Sequence, residues 1–267
     1  MSSHSELTPF TIQEANYPSL QGKTVLITGG ASGIGMYMVR AFCAQGAEVH
    51  FLDINAGEGK RVSEIVARHT DARPSFLQVD LTNIAELRGA IASIERNSGA
   101  VTALINNAAN DDRHELADIE PDYWDQRMNV NLRHQFFAAQ AVLPGMQKAG
   151  GGTIINMGSI SWMVHCDNMI CYTTAKSAVE GLTRTLSREC GVHNIRVNSI
   201  VPGWVMTDRQ VSRQKEIDAN ALQEFKNRQS LKNYLLPDDI ARMALWLTAD
   251  DSRMVTGQTM IVDGGVV

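Results

Sequence analysis

Tyr172 and Lys176 stand four positions apart at the start of a stretch with helical apolar spacing, so both side chains leave one face of that helix. A free phenol has a pKa near ~10 and is a poor base at neutral pH. An ammonium held on the same face favours the phenolate and lowers that value. Ser159 lies thirteen positions earlier and could donate to a substrate oxygen if a strand delivers it beside the helix. Together the three groups could take a proton from an alcohol or return one to a carbonyl. A Tyr-x-x-x-Lys pair is common, and the plainer reading is a helix with a half-buried tyrosine and an exposed lysine. The elements around the pair decide the matter.

Those elements alternate. Short β-branched runs at Lys23–Thr28, Glu48–Asp53, Ser75–Val79, Val101–Asn106, Thr153–Met157, Ile195–Val201 and Gln258–Val262 predict buried parallel strands. Helical periodicity falls between them, at Ile34–Gln45, Gly57–His69, Ile84–Arg96, Asp122–Lys148, Tyr172–Cys190 and Pro237–Ala249. The expected architecture is α/β: one doubly wound domain over residues 21–267, with about seven parallel strands and helices on both faces. Residues 1–20 are polar, without a basic start or an apolar core, and predict an N-terminal arm rather than a signal peptide. Ligands of such a sheet sit at the carboxyl ends of its strands.

The loop after the first strand reads Thr28-Gly-Gly-Ala-Ser-Gly-Ile-Gly35 and runs into a helix. Gly29, Gly33 and Gly35 allow a tight turn and let backbone amides, with Ser32 and Ile34 among them, approach a pyrophosphate at the helix N-terminus. A dinucleotide-binding, Rossmann-type fold follows from strand, glycine loop and helix in that order. Eighteen residues past Gly35 the second strand ends at Asp53. A carboxylate there bonds both ribose hydroxyls of an adenosine and repels a 2′-phosphate, which favours NAD over NADP. Asp80, followed by Leu81, is placed to meet the adenine amino group, and the small residues of Asn106-Asn107-Ala108-Ala109 let backbone pass beneath the ribose.

The chain has 267 residues, 44% hydrophobic and 20% charged, with a formal net charge of −5. That is ordinary for a water-soluble globular domain and gives no basic patch for nucleic acid or anionic membrane. No apolar run reaches the length of a bilayer span. The four cysteines, Cys43, Cys166, Cys171 and Cys190, have no metal-ligand spacing, so no metal is expected and reduced thiols in a cytoplasmic enzyme are.

With these motifs in order, the sequence resembles the short-chain dehydrogenase/reductase family over nearly its whole length. The resemblance rests on the Thr28–Gly35 loop, Asn106–Ala109, Ser159 with Tyr172 and Lys176, and Pro202-Gly203 followed by Thr207. It implies that Tyr172 is the catalytic acid/base, that Lys176 lowers its pKa and holds the nicotinamide ribose, and that Ser159 orients the substrate. Asn131 would steady a proton relay through a water; Asn129, two positions earlier, is its rival. Pro202, Gly203, Val205 and Thr207 would meet the carboxamide. Ala109 stands where a glycine is usual.

Less generic stretches, Asn110–His114, Tyr123-Trp124-Asp125, Asn129–His134 and Gly158–Trp162, resemble the bacterial aldose 1-dehydrogenases of that family. This implies oxidation of a sugar, D-xylose or a related aldose, at C1 to a lactone. A polyol needs a polar wall, for which Asn110, Asp111, Arg113, Ser161, Trp162, His165, Asn168 and Trp204 are candidates beside Ser159 and Tyr172. Residues 204–236 predict a lid with a helix at Val211–Arg228. The alternatives are an oxidoreductase of a steroid, β-ketoacyl or small secondary alcohol, and an NAD-binding module without turnover. Apolar residues around the long helices (Phe136, Phe137, Val142; Ala178, Leu182, Leu186) exceed one buried stripe. By resemblance they pair subunits into a homotetramer, with Asp263–Val267 at a further contact.

Overall fold

The computed structural model describes residues 15–70, 72–214 and 219–267. The expected arm at 1–20 therefore lies, up to residue 14, outside the described residues. Seven parallel strands form one sheet in the order β3-β2-β1-β4-β5-β6-β7. They are β1 (Thr24–Thr28), β2 (Glu48–Asp53), β3 (Ser75–Gln78), β4 (Ala103–Asn106), β5 (Gly152–Met157), β6 (Ile195–Pro202) and β7 (Thr259–Val262). Every residue of β1 and β4 is buried, whereas the outermost strands β3 and β7 are partly exposed. That gradient explains why the central runs are continuous Val, Leu and Ile.

The chain winds outward from β1 to β3, then returns to place β4 against the other side of β1. The reversal opens a crevice above the carboxyl ends of β1 and β4, where a doubly wound sheet receives its ligand. Helices α1 (Gly33–Ala44), α2 (Ala56–His69) and α9 (Pro237–Thr248) cover one face, packing Phe42, Val62 and Leu245 with Phe51 of β2. Helices α3 (Ile84–Ser98), α5 (His134–Lys148) and α6 (Ile170–Cys190) cover the other with Leu87, Val142 and Leu186. Phe42 and Phe51 are fully buried, each contributing on the order of 1.5–3 kcal/mol. Asn55 and Asn83 start α2 and α3 by accepting the amides of Glu58, and of Ala85 and Glu86.

One expected helix differs. The single helix predicted over 122–148 begins as α4 (Pro121–Met128), passes through a π-helical turn at Asn129–Arg133 and continues as α5. The turn is held from inside: Asn131 Nδ2 donates to the Arg127 carbonyl at 3.0 Å, and Gln135 Nε2 to the Asn131 carbonyl at 3.2 Å. Such turns concentrate at functional sites. Over the helix predicted at 211–228 the described residues are helical as α7 (Asp208–Gln214) and α8 (Ala219–Arg228), and residues 215–218 lie outside the described residues. They lie in a segment that leaves and rejoins the body at one place. Val205 pairs in parallel with Leu235, and the Met206 amide donates to the Leu235 carbonyl at 2.8 Å. Among the described residues no helix is long and apolar enough to cross a membrane, and no cluster of three or more His, Cys, Asp or Glu could hold a metal ion.

Candidate active site

Helix α6 begins two residues before Tyr172, so Tyr172 and Lys176 occupy its first two turns, above the end of β5. The Lys176 Nζ lies 5.5 Å from the Tyr172 ring centroid and donates to the carbonyl of Met157, the last residue of β5, at 2.6 Å. Ser159 follows β5 by one residue; its Oγ accepts the Ser161 amide at 3.1 Å and also hydrogen-bonds the Tyr172 side chain. Strand and helix thus deliver the three groups to one point.

The electrostatics correct one expectation. Burial raises the Tyr172 pKa above its usual value, the Asp111 charge raises it further, and the Ser159 hydrogen bond opposes both. Burial also pushes Lys176 down to about 7, with Asp111 opposing. Desolvation disfavours the charged form of each group, so the fully buried lysine does not by itself bring the phenol down. Within the protein alone Tyr172 is a phenol at neutral pH.

Asn131 is fully buried in the π turn, and its Oδ1 accepts the Asn110 amide at 2.8 Å. Asn129 is half-buried in the same turn. His134, also fully buried, lies close enough to Lys176 for that charge to act on it; burial first and Lys176 second hold its pKa down at about 3, so it is neutral. The sequence reading held His134 only as the end of the Asn129–His134 stretch and gave it no role, although its place three after Asn131 on one helix face was the available signal.

The glycine loop fits a dinucleotide. A Cβ on Gly35 would lie 2.0 Å from the Gly29 carbonyl oxygen, and Gly29 has φ +67 with Ala108 Cα only 2.7 Å from its own added Cβ. Side chains are thereby excluded where a pyrophosphate must approach backbone. Ser32, at the N-cap of α1, makes no side-chain capping bond there. Asn107 Nδ2 holds the loop by donating to the carbonyls of Thr28 and Gly29, both at 3.0 Å, and the Thr28 hydroxyl accepts the amides of Asn107 and Ala108. Asp53 is half-buried at the crest of β2. Its Oδ2 accepts the Ala31 amide at 3.0 Å and its Oδ1 the Asn55 amide at 3.0 Å. Asp80 makes a local turn with Thr82, and Leu81 beside it is buried. Across the crevice, a Cβ on Gly33 would lie 3.6 Å from Thr207 Cγ2, so the segment after Pro202-Gly203 faces the glycine loop. Val205 is buried there and Ala109 is exposed.

The substrate side is built from three segments. The loop after β4 carries Asn110, Asp111 and Arg113; the Arg113 guanidinium donates to the Asp167 carbonyl at 2.8 Å, tying that loop to residues 163–169. His165 and Asn168 are exposed with positive φ, +57 and +54. Ser161 is buried and Trp162 half-buried. In the third segment the Trp204 indole donates to Gln210 Oε1 at 3.2 Å and stands edge-on to Phe225. Arg209 and Gln210, unnoticed in the sequence, reach back to Asp111 at 3.1 and 2.9 Å. A concavity of about 810 Å³, around Lys23, Arg196 and Arg253, opens at the amino ends of the strands, away from these groups.

A family model described as "Enoyl-(Acyl carrier protein) reductase" matches residues 29–267. The chain is 45% identical over 254 residues to a D-xylose 1-dehydrogenase of Caulobacter vibrioides, covering 95% of this chain and 99% of that protein. It is 42% identical over 256 residues to a protein of Rhizobium meliloti named "probable galactose dehydrogenase", covering 96% and 99%. Among solved structures, a short-chain type dehydrogenase/reductase from Mycobacterium ulcerans superposes with a TM-score of 0.87 at 25% identity, over 94% of this chain and 91% of that one.

Proposed function

Because the chain belongs to the short-chain dehydrogenase/reductase family, whose members oxidise CH–OH groups with a nicotinamide cofactor, we propose that it oxidises a free aldose at C1 to the aldonolactone with NAD. The observation that carries the sugar reading is the polar loop after β4, Asn110 to Arg113, which is bonded to Asn131 on one side and to Gln210 and Asp167 on the other, where an apolar alcohol would need an apolar wall. The two relatives named for xylose and galactose oxidation support it.

In this reading bound NAD would supply the hydride acceptor and a positive charge that favours the phenolate. Tyr172 takes the anomeric hydroxyl proton, and Ser159 donates to the same oxygen and fixes its position. Lys176, held on the Met157 carbonyl, carries protons away from the phenol, with Asn131 behind it and Asn129 as the rival. Gly29, Ser32, Gly33, Ile34 and Gly35 hold the pyrophosphate. Asp53 bonds the adenosine ribose, and its charge excludes a 2′-phosphate; Asp80 and Leu81 flank the adenine. Asn107, Ala108 and Ala109 line the floor of the crevice, and Pro202, Gly203, Val205 and Thr207 border the carboxamide. Asn110, Ser161, Trp162, His165 and Trp204 face the sugar, Arg113 bridges the two loops that hold it, and 204–236 closes over it to exclude water. The proposed setting is a cytoplasmic homotetramer.

An initial-rate panel of free aldoses with NAD tests the function. NADH should form with an aldopentose or aldohexose, D-xylose first, and an acidifying lactone should accumulate. No NADH from any aldose, with ready oxidation of a simple or steroidal secondary alcohol, would leave the dehydrogenase standing and remove the sugar.

A further inference from the structure

The concavity at the amino ends of the strands has no part in the chemistry of Tyr172, which sits at the other end of the sheet. Its volume, about 810 Å³, is that of a small-molecule site. Residues 149–152, Ala-Gly-Gly-Gly, line one side and bring a single methyl group, so the space stays open. The floor is formed where β5 and β6 begin. There Thr153 and Arg196 are direct cross-strand partners, so both side chains leave the same face of the sheet. Lys23, just before β1, and Arg253, in the turn after α9, bring two more cations to the lining.

These groups are under-used by the protein itself. Asp250 is the one carboxylate in the lining; it lies 3.6 Å from Lys23 Nζ and its charge also acts on Arg196. Its side chain is 74% exposed, so water screens it. The half-buried Arg196 guanidinium donates to the carbonyls of Val255 and Ala249 at 3.3 and 3.4 Å. Those two long bonds secure the chain after α9 and leave most of its five N–H donors free. The Arg253 guanidinium has no hydrogen bond or ion pair among the described residues. Thr153 is 3% exposed, yet its hydroxyl has no partner either. An unpaired buried hydroxyl is destabilising, and this one stands beside an arginine on the floor of an open space. One kind of group satisfies all of these donors together. An oxyanion accepts several hydrogen bonds at once, and guanidinium groups bind it in a fork.

We infer that this concavity is a second binding site, for a small polar molecule bearing a phosphate or carboxylate group. Arg196, Arg253 and Lys23 hold the oxyanion, and Thr153 donates from the floor. The space exceeds a bare inorganic ion, so the rest of the molecule lies along the glycine side. Because the glycine loop and Tyr172 are at the opposite ends of the strands, the site fills independently of NAD.

The test is calorimetric titration of the full-length protein saturated with NADH, so that the cofactor's own phosphate site is already occupied. Inorganic phosphate, ribose 5-phosphate and gluconate are the probes, at constant ionic strength, and ribose is the uncharged control. Wild type should bind at least one probe with one site per subunit and more tightly than ribose; whether the phosphates or gluconate bind identifies the oxyanion. Arg253→Glu should raise Kd roughly tenfold or more, as expected for losing a charge-assisted hydrogen bond. Thr153→Val, which keeps the shape, should raise it by a similar factor. Both variants should bind NADH as wild type does, which shows that they are folded; Thr153→Ala takes the place of the valine variant if it is not. No binding of any probe at millimolar concentration would overturn the inference, as would equal Kd in wild type and both variants. A loss confined to Arg253→Glu would reduce the site to surface attraction and overturn it as well. None of these outcomes bears on the aldose reading.

Discussion

Asn131 and Asn110 grip each other through two hydrogen bonds, the Asn110 amide to Asn131 Oδ1 at 2.8 Å and Asn131 Nδ2 to the Asn110 carbonyl at 3.0 Å. A buried amide in a π turn therefore fixes the backbone of the loop that carries Asp111. Asn131→Ala removes both bonds and the one to the Arg127 carbonyl, and leaves the two Asn110 backbone groups unpaired, at about 1–3 kcal/mol each. The expected outcome is a lower Tm with KM for sugar raised more than KM for NAD, read from thermal melts and initial rates.

Tyr172 should set the pH dependence of the reaction. Oxidation needs the phenolate, so its rate should rise with pH and level off. The Ser159 hydrogen bond lowers the phenol's pKa, so Ser159→Ala should move the midpoint of that rise to higher pH. A hydrogen bond to a charged group is worth about 1.5–3 kcal/mol, or roughly one to two pH units. Tyr172→Phe should abolish turnover and leave NADH binding nearly intact. Substantial turnover by Tyr172→Phe would end the mechanism.

Asp53 should make kcat/KM for NAD exceed that for NADP by about 1–3 kcal/mol or more, and Asp53→Ala should narrow the gap. Equal wild-type values for the two cofactors would refute the assignment. Because Asp53 also accepts the Ala31 amide, some loss of NAD affinity should accompany the change in preference.

His134 makes the fold acid-sensitive. Its folded pKa, about 3, lies below the unfolded value of 6.5. The unfolded chain therefore binds the extra proton between those values, and stability present above pH 6.5 is lost as pH falls toward 3. The slope from this one group is at most about 1.4 kcal/mol per pH unit. Urea unfolding at pH 7 and pH 5 should show the loss, and His134→Gln should flatten it. An unchanged slope in the variant would remove His134 as the cause.

The expected tetramer would form through the outer helices and the last strand. Val142 and Leu186 lie buried within the subunit, whereas Phe136 and Ile170 stay exposed, as do Ile261 of β7 and Val267. Light scattering at micromolar concentration should give a tetramer mass. Charged substitution at Phe136 should lower it, and a monomeric wild type would refute the assembly.

The sheet was legible because central strands buried on both sides must read as unbroken Val, Leu and Ile, as β1 and β4 do. The glycine loop was legible because Gly29 and Gly35 leave no room for a side chain. The π turn was hidden: Asn129–Arg133 keeps helical apolar spacing, and its register depends on the distant Asn110 backbone. The Asp111–Gln210 contact joins positions 99 apart, and the upward shift of Tyr172 depends on burial. Neither quantity is local, so no pattern of neighbours in the chain could display it.

The pairing of Val205 with Leu235 closes the covering segment at its own base. Between them, among the described residues, the segment is tied to the body at its two ends, by Thr207 against the glycine loop and by the Ser230 and Leu231 amides on the Gly265 and Gly264 carbonyls, and closing a longer loop between those ends costs only about 0.6 kcal/mol per doubling. The segment is in effect an exchangeable cassette. Grafting it between members of the family at these two positions is a direct route to new substrate preference, provided that the incoming segment brings its own partner for Asp111.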